Sequence, residues 1–172
     1  LVPWLSQSEQ ERLAQLRADG ASAAQVYAEI VRIMQGSTQP VERFDLVYFG
    51  TITDKLRLVL TRVRSWMTRM TRWPGKVSQA PQKLHSYEQN DEAGRNNGFF
   101  TIVVAQQHDG PVIAQYEQEA KHDRLLKAQA LGTLASLTQQ QRRAVLIVLP
   151  RLDEQGMATV AEFFEQVQSR LE

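Results

Sequence analysis

The stretch from Leu56 to Met70 most constrains the fold, because its apolar residues recur at the spacing of one helix face. At about 100° per residue, these side chains fall within an arc of about 120°, which is the width of a single buried face. They are Leu56, Val59, Leu60, Val63, Trp66, Met67 and Met70. We therefore predict a long amphipathic helix that packs on a core and ends before Pro74 and Gly75.

The remaining surface of this predicted helix is basic. Residues 55–83 carry eight basic side chains and no acidic one, although the net charge of the whole chain is only +1. We call these residues the basic segment; its cations are Lys55, Arg57, Arg62, Arg64, Arg69, Arg72, Lys76 and Lys83. No cation on the helix has an acidic residue four positions away, and Asp54, three residues before Arg57, is the only local candidate for an ion pair.

The composition is that of an ordinary globular protein. A chain of 172 residues, 42% hydrophobic, has room for one medium domain or two small ones. It contains no apolar run long enough for a transmembrane helix and does not start with a signal peptide. The absence of cysteine excludes disulfides, thiolate zinc sites and cysteine nucleophiles. We expect a cytoplasmic location.

The segments around the basic segment predict further helices and short strands. Ser6 and Glu9 fit a capping box, and Gly20 is placed to end the helix that follows. A second helix, from about Ser22 to Gln35, completes a helical hairpin. The apolar and β-branched runs at 44–49 and 99–105 are typical of strands.

These elements predict a helix-dominated α+β fold with a small β-sheet from the segments near 44–49 and 99–105. The alternative is an α/β fold with three βα units after the N-terminal helical hairpin. Residues 1–75 would hold the hairpin, a short strand and the basic helix, and residues 76–98 a polar loop or linker. Residues 99–172 would hold strands and the C-terminal helices, packed with 1–75 as one domain.

Two segments in the second half leave the type of structure open. Residues 111–116 and 143–149 fit either a strand or a helix. A capping box formed by Thr159 and Glu162 predicts the start of the last helix. Phe163 lies off the apolar face of that helix, and we interpret it as an exposed aromatic residue rather than an interface contact.

Other motifs argue against a catalytic or metal-binding protein. Glu119 and His122 have the spacing of a helical carboxylate–histidine pair, but no second such pair exists, so we interpret them as surface residues. Nucleophile-elbow, phosphate-loop and dinucleotide-binding motifs are absent from the sequence, and we predict no cofactor and no metal. The turn at 94–98, which includes Arg95, is interpreted as a polar turn rather than an anion site.

The first two helices raise the question of a helix-turn-helix. Gly20 and Val26 stand at about the right spacing, but Leu16 occupies a position that usually holds a small residue. Arg32 is the only basic side chain of the second helix, and Gln25 is its only early candidate for reading a base edge. We therefore predict a simple helical hairpin.

For function, we predict a non-catalytic binding module that binds nucleic acid through the eight cations of the basic segment. Arginine offers forked donors to phosphates, and the interleaved serine and threonine hydroxyls add neutral ones. The alternatives are protein–protein assembly, with an acidic partner or as a homo-oligomer, and binding to a membrane surface. The remaining explanation of the basic face is neutralisation by the chain's own carboxylates.

A third functional class is an α/β enzyme, because ligands of such sheets bind beyond the carboxyl ends of the strands. The residues there would be Thr51, His108, Asp109, Asp153 and Glu154.

Overall fold

The computed structural model describes residues 4–80, 94–106, 116–151 and 153–172, except for the side chains of 116–122 and 154. These residues form helices interleaved with short strands. The helices are α1 (Gln7–Ala18), α2 (Ala23–Gln35), α3 (Asp54–Thr71), α4 (Tyr116–Gln139) and α5 (Glu154–Leu171). The strands are β1 (Arg43–Phe49), β2 (Gly75–Ala80), β3 (Gly98–Ala105) and β4 (Arg143–Leu149).

The four strands form one parallel sheet in the order β2–β1–β3–β4. Helix α3 connects β1 to β2 on one side of β1, and α4 connects β3 to β4 in the opposite direction. Because crossovers between parallel strands are right-handed, connections that run in opposite directions place their helices on opposite faces. The direction of winding therefore reverses between β1 and β3.

Each face of the sheet has its own apolar core. On β1, Phe44, Leu46 and Tyr48 point to the layer formed by α2, α3 and α5, whereas Val47 and Phe49 point to α4. All five side chains are buried. A strand that is covered on both faces is apolar at nearly every position, which explains the short apolar runs in the sequence.

The predicted fold class is confirmed: the protein is dominated by helices and has a small sheet that contains both predicted strands. The strands are all parallel, and helices follow β1, β3 and β4, as in the α/β alternative. Two segments fitted either a strand or a helix in the sequence analysis. Of these, 143–149 is strand β4, and 111–115 lies outside the described residues. A bilayer-spanning helix is absent from the part of the chain that the structure describes, because no helix there combines the necessary length and hydrophobicity.

The prediction of a polar loop or linker over 76–98 was wrong at both ends of that segment. Residues 75–80 form strand β2, which pairs with β1, and β3 begins at Gly98. An edge strand needs fewer apolar residues than a central one. Lys76, Ser78 and Gln79 are half-buried and give β2 the composition of a loop.

Two smaller predictions about α5 were also wrong. The helix begins at Glu154, not near Thr159, because the carboxylate of Asp153 accepts the N–H of Gly156 at 2.7 Å and forms the cap. Phe163 is not simply exposed. Its ring packs edge-on against Tyr27 and Phe164, with centroid distances of 5.7 and 5.0 Å.

Candidate functional site

Helix α3 carries the basic surface, and both of its ends are defined by local interactions. The hydroxyl of Thr53 accepts the N–H of Leu56 at 3.3 Å and caps the first turn. At the other end, Arg72 adopts a left-handed backbone conformation, with φ 65°, and its N–H donates to the carbonyl of Thr68. The predicted buried face is confirmed, since Leu60 and Met67 are fully buried in the core.

The arginines of α3 lie on two flanks of the helix. Residues seven apart lie on nearly the same side of a helix, two turns along. Arg57 and Arg64 therefore share one flank, which faces β2: a Cβ added to Gly75 would lie 2.9 Å from Cγ of Arg64. Arg62 and Arg69 share the other flank, which faces α5. We call these two pairs the β2 flank and the α5 flank.

All four flank arginines, together with Arg72, are exposed. Among the residues that the structure describes, no carboxylate lies within 4.0 Å of their guanidinium groups, and Asp54 does not pair with Arg57. By contrast, Arg12 and Arg32 both pair with the buried carboxylate of Glu29. The charge of these five arginines is thus directed to solvent in the described part of the protein.

Two of the three predicted lysines lie in the described part of the chain, in different environments. Lys76 lies in β2, where its Nζ is 3.1 Å from Oδ2 of Asp45. Asp45 is 2% exposed and also accepts a hydrogen bond from Ser78 at 3.2 Å. Lys76 therefore stabilises a buried carboxylate and has a structural role. Lys55 is exposed in the first turn of α3, and Lys83 lies outside the described residues.

A cleft of about 330 Å³ separates α3 from α5. Its walls hold both arginines of the α5 flank and, in addition, Thr61, Ser65, Trp66 and Gln168. Gln168 comes from α5 and is held there by a hydrogen bond from its amide nitrogen to Glu172 at 2.7 Å. Sequence reasoning did not find Gln168, because no local pattern shows that it meets residues about a hundred positions earlier in the chain.

A second, mainly apolar groove of about 530 Å³ lies beside β4, between α2 and α5. Val145 and Ile147 form its floor, and Tyr27 and Phe163 stand in its wall. Arg17 contributes the charged part of the lining. Because β4 is the last described strand of the sheet, this groove opens at the sheet edge.

The residues proposed for an enzyme are only partly placed by the structure. His108 and Asp109 lie outside the described residues, and the side chain of Glu154 is not described. Asp153 caps α5 and pairs with Arg151 at 3.0 Å, so its carboxylate is already engaged. Thr51 is exposed after β1.

The other sequence motifs are described in part by the structure. Within the described ranges, no group of three or more potential metal ligands occurs, and the side chains of Glu119 and His122 are not described. In the turn before β3, Asn97 donates to Glu42 at 2.6 Å. The amide oxygen of Gln25 accepts the N–H of Ser22 at 2.7 Å and closes the capping box of α2. That amide is therefore occupied at the point where a helix-turn-helix would read a base.

Comparisons with known proteins place the fold but not the function. No family model matches the chain, and no curated protein matches it. Among solved structures, the chain is similar to a hypothetical protein from Thermus thermophilus, with 14% sequence identity and a TM-score of 0.59. The match covers 87% of this chain and 39% of that protein. The chain thus spans well under half of its structural neighbour, with which it shares the fold.

Proposed function

We propose that the protein is a nucleic-acid-binding module that contacts the phosphate backbone through the exposed arginines of α3. The observation that carries this proposal is the set of five exposed arginines without a carboxylate within 4.0 Å in the described part of the chain. Like charges held this close repel one another, and a polyanion relieves that repulsion while it releases its own counterions.

The packing of α3 favours a phosphate backbone over a lipid surface. A basic amphipathic helix binds a membrane by inserting its apolar face. Here that face is inside the protein: Leu56, Val63 and Met67 are each at most 3% exposed. Leu58 is the one large apolar side chain of α3 that is strongly exposed, at 62%. Lipid insertion would therefore require unpacking of the core, whereas phosphate binding uses the polar surface as it stands.

The same packing predicts contacts to the backbone rather than to bases. Proteins that bind single strands stack bases on accessible aromatic rings. Trp66 and Trp73, the tryptophans of this region, are each only 6% exposed. We expect binding with little dependence on base sequence, because phosphate contacts carry no sequence information.

A charge-reversal experiment tests the proposal. The variant Arg62→Glu/Arg64→Glu/Arg69→Glu reverses three cations of α3, and Arg17→Glu/Arg95→Glu/Arg124→Glu reverses three exposed arginines elsewhere. Both variants change the net charge equally. We expect the α3 variant to lose at least about tenfold in affinity for a fluorescent DNA duplex, and the control to lose much less. Circular dichroism checks that both remain folded.

Three results would contradict the proposal. Equal losses in both variants would show that binding follows total charge, and no loss in either would exclude α3. Binding to vesicles of anionic lipid, but not to DNA or RNA duplexes, would favour a membrane surface instead.

The open edge of β4 favours a second candidate function, self-assembly. The carbonyl of Leu149 accepts the N–H of Gln106 at 2.8 Å, so Leu149 directs its backbone groups toward β3. The backbone groups of successive residues in a strand point to opposite sides. Those of Ala144, Leu146 and Val148 therefore point away from β3. Val148 is 45% exposed. At Ala144, the outward carbonyl accepts the indole N–H of Trp4 at 3.2 Å. Antiparallel pairing with β4 of a second copy around a twofold axis would therefore use the edge at Leu146 and Val148.

This second candidate predicts a dimer that depends on β4. A lysine at Val148 would place a charge at the edge, a substitution that disfavours strand pairing. We expect the wild-type protein to sediment as a dimer and Val148→Lys as a folded monomer. A monomeric wild type at high concentration would contradict assembly through this edge, without bearing on nucleic-acid binding.

A further inference from the structure

We infer that the cleft between α3 and α5 is a phosphate-binding site that holds the phosphodiester backbone of a nucleic acid through Arg62 and Arg69. This inference rests on the proposed function and makes it more specific. It assigns the main contact to one pair of arginines in a shaped site, rather than to the summed charge of the helix.

The charged side chains in the described lining of the cleft are both arginines. Arg62 and Arg69 stand two helical turns apart, a rise of about 10 Å, on either side of the Ser65 hydroxyl. Ser65 donates to the carbonyl of Thr61 at 2.9 Å, and this anchors its oxygen above the helix. No aspartate or glutamate belongs to the described lining of the cleft. The two guanidinium groups therefore suit an anion and repel a cation.

Helix α5 gives the cleft its second wall. Trp66 forms part of the cleft and also packs against Phe164 of α5, with the ring centroids 6.5 Å apart. The contact fixes α3 against α5, and Gln168 extends this wall beside Arg69. A phosphate in the cleft would lie between the two helices, where the guanidinium groups can form charge-assisted hydrogen bonds with it.

The β2 flank provides an internal comparison. Arg57 and Arg64 have the same residue type, the same spacing of seven residues and the same exposed environment as Arg62 and Arg69. Arg64, however, has its aliphatic stem close to Gly75, and neither residue lines the cleft. If total charge governed binding, the two pairs would contribute equally.

The test removes each pair separately. Arg62→Gln/Arg69→Gln empties the cleft of charge, and Arg57→Gln/Arg64→Gln is the matched control with the same loss of charge. Affinity for a DNA duplex is measured by fluorescence anisotropy at salt concentrations from about 50 to 200 mM. We expect the cleft variant to bind at least about tenfold more weakly and to lose about two units of the log–log salt slope. The control should lose less than half as much affinity.

Inorganic polyphosphate, which has no bases, serves as a second probe. We expect it to change the fluorescence of the wild-type protein and to leave that of Trp66→Phe and of the cleft variant nearly unchanged.

The outcomes separate the inference from the proposed function. Equal weakening by the two double variants would overturn the cleft as a specific site and leave α3 as a general cationic surface. A wild-type protein that binds neither duplex nor polyphosphate would overturn both. A polyphosphate signal that persists in the cleft variant would also overturn the inference.

Discussion

The hydroxyl of Tyr27 in α2 lies 2.7 Å from the hydroxyl of Thr101 in the middle of β3, and both residues are buried. This hydrogen bond joins the N-terminal hairpin to the centre of the sheet. Phe163 and Phe164 of α5 pack edge-on against the Tyr27 ring, with centroid distances of 5.7 and 5.9 Å. The pair therefore connects α2 and α5 to the sheet.

Tyr27→Phe should destabilise the protein by about 1–3 kcal/mol, because the Thr101 hydroxyl would stay buried without its partner. Thr101→Val should cost a similar amount for the same reason. We expect the double variant to be more stable than the sum of the two single effects predicts. Urea unfolding of the four proteins measures this coupling, and strictly additive effects would show that the hydrogen bond contributes nothing.

Alkaline pH should destabilise the fold through two buried tyrosines. Burial raises the pKa of Tyr27, an effect larger than the opposite one of its hydrogen bond to Thr101. Burial, with a smaller contribution from the carboxylate of Asp123, also raises the pKa of Tyr48. The unfolded chain releases these protons near pH 10, while the folded protein retains them.

The stabilisation by each tyrosine is therefore complete below about pH 10 and decreases as the pH rises above it, by up to ~1.4 kcal/mol per pH unit. We expect the urea midpoint to fall above this pH, and Tyr27→Phe to make the fall less steep. An unchanged steepness in Tyr27→Phe would mean that Tyr27 ionises as readily in the folded protein as in the unfolded chain.

Gly156 in the first turn of α5 should not tolerate a side chain. A Cβ at this position would lie 2.0 Å from the carbonyl oxygen of Arg151, so the backbone after β4 would have to move. We expect Gly156→Ala to lower stability by about 1–3 kcal/mol.

Gly132 in α4 is the matched control, because a Cβ there meets nothing within 4 Å among the described atoms. Gly132→Ala should stabilise the protein by roughly 0.5–1 kcal/mol through the higher helix propensity of alanine. Thermal unfolding compares the two variants, and a Gly156→Ala protein as stable as the wild type would contradict the close approach of Arg151.

Lys76 should matter for stability and not for nucleic-acid binding. Lys76→Gln removes the charge 3.1 Å from the buried carboxylate of Asp45, and we expect a loss of about 1–3 kcal/mol. Affinity for a DNA duplex should stay within about twofold of the wild type, whereas each cleft arginine should cost more. A strong loss of affinity in a folded Lys76→Gln variant would show that this lysine takes part in nucleic-acid binding.

Helix α3 and the two central strands could be predicted from sequence, because their signals are local. The apolar face of α3 recurs over several turns, and β1 and β3 are apolar on both faces. Strand β2 could not be recognised. It is an edge strand, and the polar residues it carries are stabilised by a partner strand, as in the pair of Lys76 with Asp45. Only the tertiary structure shows this pairing.

The arginines of the candidate site were also evident from the sequence. Their division into two flanks could be predicted only in part. Helical geometry separates Arg57 and Arg64 from Arg62 and Arg69. It does not show that the second pair faces α5 and Gln168, because this depends on how α3 packs against a helix from the other end of the chain. The cleft could therefore not be predicted without the tertiary structure.

The most direct measurement of the central claim is the salt dependence of binding to a DNA duplex. For the wild-type protein, the logarithm of the association constant should fall linearly with the logarithm of salt concentration. Replacing Arg62, Arg64 and Arg69 with glutamine should reduce the slope by about three, one for each phosphate contact that is lost. The same replacement of Arg17, Arg95 and Arg124 should leave the slope nearly unchanged. Equal slopes in the wild type and both variants would contradict the claim that the arginines of α3 bind the phosphate backbone.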